Sequence, residues 1–507
     1  ADGRILINAV QDVLLGQFSN VEVDVDSGTG VLASDVGTIS EVQISAGRDI
    51  SLDGRVTAGN RIQASAGTVG SGSLTASVTA ELKTNAADIL LAAGASAGDV
   101  TLTGALLNEG DTTGQISLLA LGGRVAQSDS TLAATRLTAH AALGVTATTD
   151  VDEYDVSNTG AGTISLVNLS DVVFVDDLLN GAGSVDVTVF GDVTVGNVSV
   201  SDEINIQSSK GLIQAVGTRI SGGNLTVATS DSDLTLATAV QGLTVTTRGV
   251  GNLTVHNTGT EPLSLNLNVT NGSLNVDTLG NLLVSSVVSL TDSDANDISL
   301  TAGGNIEVGL LKAGRFAATE AEAKALRLIE LSNILRSASV LSASDEDLTD
   351  TTYASLDQAA ARTTLVTWLQ EEIFAVAADP LVQAEAEADR QLSLTQPIRV
   401  AGDVTLTATG AITELDADDD SVDLVADTLT IVSGLGVREI ETSLNEITSI
   451  TNVSGDITLS DVDSVGETSP GLIVNQISNQ NGAVSITAPG ELTVHRISAL
   501  GSSGDVS

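Results

Sequence analysis

The sequence predicts an all-β chain: a parallel β-helix, or β-solenoid, interrupted once by a helical insertion. Three observations predict it. A five-residue pattern of Gly, a small polar residue, Val/Ile/Leu, Ser/Thr and another aliphatic recurs along the chain. The apolar residues are 42% of the total, yet aromatics are only 2%, so any core must be built from Val, Ile, Leu and Ala. Such side chains suit thin layers of equal width. Copies of the pattern also return at roughly 20 to 28 residues, the interval of a solenoid coil.

The pattern first stands clear at Gly98-Asp99-Val100-Thr101-Leu102 and Gly114-Gln115-Ile116-Ser117-Leu118. It returns at Gly162, Gly183, Gly191, Gly223, Gly251 and Gly272, then at Gly402, Gly455, Gly482 and Gly490. Each copy reads as a corner followed by a strand. Gly makes the corner, Asp or Asn after it suits a turn, and residues at i and i+2 face inward. A single coil cannot bury its own apolar face, so neighbours must stack. At this spacing the solenoid residues supply roughly 15 to 21 coils. A β-sandwich array is the competing fold, but scarce Pro, Tyr and Trp count against it.

From about 316 to 397 glycine disappears and Ala, Glu and Leu take over. Apolar stripes predict helices over about 321–337 and 355–377, and Asp379-Pro380 opens a third. The expected organisation is solenoid over 1–315, a helical insertion over 316–397, and solenoid again over 398–507. The insertion is read as leaving one coil, not as a domain boundary.

The formal charge is −45, from 65 acidic and 20 basic residues. That argues against nucleic acid and anionic membrane surfaces as partners, which need Lys and Arg. There is no Cys, hence neither disulfide nor thiolate metal site. No apolar run is long enough to cross a membrane. The absence of Met, and a repeat motif that breaks off at Ser507, lead us to expect a segment of a longer polypeptide.

The stretch from Ser45 to Asn60, SAGRDISLDGRVTAGN, and Leu300 to Val308, LTAGGNIEV, resemble repeats of filamentous-haemagglutinin-like bacterial exoproteins. The likeness covers roughly 1–315 and 398–507. It implies a right-handed parallel β-helix in a large secreted adhesin or fibre, at the bacterial cell surface or outside it. It implies no catalytic residues. Partners would be other copies or adjacent segments of the same long chain, or a host, neighbour-cell or matrix glycan. The alternatives are a carbohydrate-active β-helix enzyme and a Ca²⁺-stabilised matrix or surface-layer module.

Site candidates follow from residue chemistry. Ca²⁺ takes several carboxylate and carbonyl oxygens, and the acidic clusters supply them. One holds Asp292, Asp294 and Asp297. The densest holds Asp416, Asp418, Asp419, Asp420 and Asp423. A third holds Asp461, Asp463 and Glu467, and a fourth Asp150, Asp152, Glu153 and Asp155. No EF-hand loop or calcium β-roll repeat is present, and a solvated acidic turn is the plain alternative for each. An enzyme would need a sugar platform, for which Tyr154, Phe174 and Phe190 are the few aromatics. His140, His256 and His495 lack metal-ligand spacing and read as outward strand residues. Sequons occur at Asn168, Asn197, Asn224, Asn252, Asn268, Asn271 and Asn452. Asn252, Asn271 and Asn281 sit where a stacked Asn ladder would form. For localised partner contact the helical insertion offers Leu365, Trp368, Leu369 and Phe374.

Overall fold

The computed structural model describes residues 40–314 and 402–500 with short breaks at 54, 59, 69, 78–79, 85–87, 105, 108–113, 231–232, 291–294, 416–421 and 463–470. Outside these spans it describes 3–9, 11, 13–15, 20–22 and 505–506. The predicted helices of 316–397 lie outside the described residues. Among the described residues the regular elements are strands, and each strand-to-strand ladder runs parallel, forming a β-solenoid of about 16 turns. Contacts divide it into two units, one through Gly223 and one from Asn224.

In the first unit early coils carry three short strands. One coil runs Ser40–Ala46, Ile50–Leu52 and Arg55–Ala58, and the next Arg61–Ser65, Leu74–Ala76 and Glu81–Thr84. Alternation puts every second residue inside. Register then stacks like on like: Val42, Ile62, Ile89, Ile116 and Leu137 form one buried column. Further along, strands lengthen, as in Leu132–Ala141, Val145–Ala161 and Val172–Ala182. In the second unit Leu253, Leu274, Ile298, Val404, Leu429 and Ile447 make an equivalent column. Burying each such side chain is worth about 1.5–3 kcal/mol, and only the neighbouring coils provide that burial.

Two devices recur at the corners. The first uses the polar residue just before a strand. Its side-chain oxygen accepts the backbone N–H of the equivalent residue one coil later. Asp233 accepts from Asn252 (2.8 Å), and Asn252 from Ser273 (2.9 Å). Asn281 accepts from Asn305 and Asn305 from Ala411, both at 2.9 Å. Asp49, Asp99, Asp192, Asp297 and Asp456 do the same with Ser73, Arg124, Gly211, Asp403 and Ala483. Asn252 and Asn281 thus bond along the stacking direction, but to the backbone amides of Ser273 and Asn305 and not to a stacked Asn side chain as the ladder expectation had it.

The second device is an interior Asn pair. Asn158 Nδ2 donates to Asn180 Oδ1 at 2.9 Å, and Asn452 Nδ2 to Asn479 Oδ1 at 3.0 Å. Both pairs are buried inside corners and also bond carbonyls of the turn that follows. Glycine is required where corners touch. At Gly272, with φ at +152°, a Cβ would stand 2.1 Å from the Gly251 oxygen of the previous coil.

The ladder continues across the long interruption. Strand Val404–Ala408 pairs with Ile298–Ala302 in unbroken register, and the Asp297 to Asp403 rung spans 106 positions.

Candidate metal centre

Among the described residues, one group of three metal-type side chains comes together: Glu414, Asp423 and Glu441. Glu414 ends the strand Ile412–Glu414, and Asp423 immediately precedes Leu424–Val425. Glu441 lies one coil later, in Val437–Ser443. The coil ladder pairs Leu424 with Thr442 and Val425 with Ser443, which sets Asp423 beside Glu441. Backbone bonds fix that juxtaposition. Asp423 N–H donates to the Glu441 carbonyl at 3.0 Å, and Glu441 N–H donates to Asp423 Oδ2 at 2.9 Å. One oxygen from each carboxylate lies within 4.8 Å of the others.

Asp423 is 1% exposed. Two unit charges about 4 Å apart interact by about 4 kcal/mol at an effective dielectric near 20, so three ionised groups here oppose one another strongly. Burial first, and then the charge on Glu414, push the Asp423 carboxyl up to about 7, against the backbone bond from Glu441. The arrangement accepts either a proton or a cation.

A pH dependence follows. The folded pKa lies above the ordinary 3.8, so the folded chain holds this proton more tightly than the unfolded one. The contribution to stability is full below pH 3.8 and is lost as pH rises through about 7. In chelator, the unfolding free energy of the wild type, from urea denaturation, should fall relative to that of Asp423→Asn across that window, by an amount on the order of a few kcal/mol. Parallel profiles for the two proteins would contradict this.

The other predicted site residues fare differently. Asp292, Asp294, Asp416, Asp418, Asp420 and Asp463 lie outside the described residues, as do Leu365, Trp368, Leu369 and Phe374. Asp297 is a corner residue whose side chain accepts the Asp403 N–H at 3.0 Å. Asp461 is buried and accepts from Leu444 N–H at 3.2 Å and Thr442 Oγ1 at 3.4 Å.

Within the cluster around Asp150, two members serve an outward ion-pair network. Arg136 reaches Glu153 at 2.7 Å, Asp155 at 2.9 Å and Asp176 at 3.5 Å. Partial burial lowers the guanidinium pKa, but the Asp155 hydrogen bond and the three charges outweigh it, and the net shift is upward.

Tyr154 is no outward sugar platform. It lies in the interior, where its hydroxyl meets Thr149, itself bonded to Asn168 Oδ1 at 3.1 Å. Desolvation raises the Tyr154 pKa further above its usual value. His256 is exposed on the strand Leu253–Asn257 beside Asp277, His495 is exposed just after the strand Leu492–Val494 beside Asn475, and His140 bonds Ser157 at 2.6 Å. Asn168 and Asn452 are fully buried, which closes those two sequons to a glycan.

Sequence reading had Asp423 within a dense acidic run but missed Glu414 and Glu441. The signal was register: Asp423 and Glu441 are 18 positions apart, one coil. No family model matches the chain, and comparison with curated proteins and with solved structures finds no match.

Proposed function

We propose that this chain is a structural segment of a large secreted bacterial surface or fibre protein, a shaft that spaces or assembles contacts. The observation that carries the reading is the ladder itself. Aliphatic columns fill the inside of successive coils, while Ser, Thr, Asp and Asn alternate with them on the outside. Such a stack holds its form by repetition. The likeness of 45–60 and 300–308 to filamentous-haemagglutinin-like repeats points the same way, and the charge of −45 opposes lateral aggregation.

The partners expected on this reading are other copies of the chain or adjacent segments of the same long polypeptide. A host or matrix glycan is a partner only at appended contact sites.

Electron microscopy of the native material, with antibody labelling of intact cells, tests the reading. Thin rods or fibres labelled at the cell surface are expected. Compact particles, or label reached only after lysis, would overturn it.

A further inference from the structure

We propose that Glu414, Asp423 and Glu441, together with the Ser443 hydroxyl, form a structural site for one divalent cation of the calcium class. The carboxylate cluster alone does not carry this. Two further oxygens point to a ligand. Glu441 Oε2 is withdrawn from solvent and has no hydrogen-bond partner. Ser443 is 2% exposed, and its Oγ likewise has no partner. Buried oxygens left unpaired are costly, and folded chains keep few of them.

Their placement is shared. Thr442 pairs with Leu424 and with Asp461, both buried, so it belongs to the inward row. Glu441 and Ser443 flank it and therefore lie on the opposite side of the strand, two residues apart. Asp423 and Val425 flank Leu424 in the same way one coil before. Ser443 Oγ thus stands on the face that holds Asp423 and Glu441.

The donors are all hard oxygens, with no sulfur or imidazole among them. That set favours Ca²⁺ over zinc or copper. Three carboxylates of uneven reach also suit the irregular coordination of Ca²⁺ better than the strict octahedron of Mg²⁺. The cation would tie the end of Ile412–Glu414 to the following coil. The site stands or falls independently of the shaft reading, since it concerns only how two coils are joined.

The test uses the whole chain, stripped with chelator and titrated with CaCl₂ by calorimetry. Other acidic turns also take calcium, so the reading is a difference. Glu441→Gln, shown folded by circular dichroism, should bind one calcium fewer than wild type. It should also lose much of the calcium-induced rise in melting midpoint. Ser443→Ala removes only a hydroxyl, should melt like wild type in chelator, and should bind calcium at this site about tenfold more weakly (about 1.4 kcal/mol). If Glu441→Gln does not fold, the Ser443→Ala affinity decides. Equal stoichiometry in wild type and Glu441→Gln overturns the site, as does unchanged affinity in Ser443→Ala. Binding of MgCl₂ as tight as CaCl₂ overturns the calcium assignment.

Discussion

Gly272→Val should cost about 4 kcal/mol and unfold part of the unit it belongs to at urea concentrations the wild type tolerates. The reason is geometric. A Cβ at 272 would meet the Gly251 oxygen at 2.1 Å and its carbonyl carbon at 2.6 Å, both backbone atoms that cannot rotate away. The backbone there also has φ at +152°, where a branched side chain is strained. Relief requires one coil to lift from the next, and that breaks the ladder on both sides. The control is Gly70→Val, where an added Cβ meets nothing within 4 Å. Its midpoint should stay within about 0.5 kcal/mol of wild type. If Gly272→Val were equally silent, the corners could not be as close as described.

Asn452→Ala should be nearly as damaging, at about 3–4 kcal/mol. Asn452 is fully buried. Its Oδ1 accepts the Gly436 N–H at 2.9 Å. Its Nδ2 donates to Ser454 O at 3.0 Å, Gly455 O at 2.9 Å and Asn479 Oδ1 at 3.0 Å. Alanine leaves those groups without their partner inside a buried corner. Changing Asn479 as well should cost less than the sum of the two single changes, because part of each loss is their shared bond. Chemical denaturation of the four proteins of that cycle measures the coupling. Strict additivity would mean that the pair does not act as a unit.

The strands were legible because the inward rows obey a simple rule. In Gly251-Asn252-Leu253-Thr254-Val255 the glycine, the polar residue and the alternation each report one constraint of the coil. Every quoted copy of that pattern carries a strand. What stayed hidden depends on register between coils. The sequence marks Asn252 as a corner residue, but its acceptor role towards Ser273 needs the next coil laid beside it. Coil length varies, with rungs spanning 19 positions at Asp233 and 27 at Asp456, so residues cannot be aligned by counting.

The same variation hid the Glu414, Asp423 and Glu441 cluster, whose members sit in three separate strands or turns of two coils. Tyr154 misled for a related reason. In the run from Asp150 to Asp155, charges surround it and suggest an outward face. Alternation places its ring inside and Glu153 and Asp155 outside.

The corner rungs have a direction. At each one the earlier coil supplies the acceptor and the later coil the amide donor, from Asp49 with Ser73 to Asp456 with Ala483. The main chain beside each rung runs the other way: Ile50, Leu253 and Ile457 of the earlier coils donate their N–H groups to the carbonyls of Ser73, Ser273 and Ala483 in the later ones. Each of these corners is therefore clasped in both senses, and a coil cannot slide along its neighbour without losing a bond of each kind.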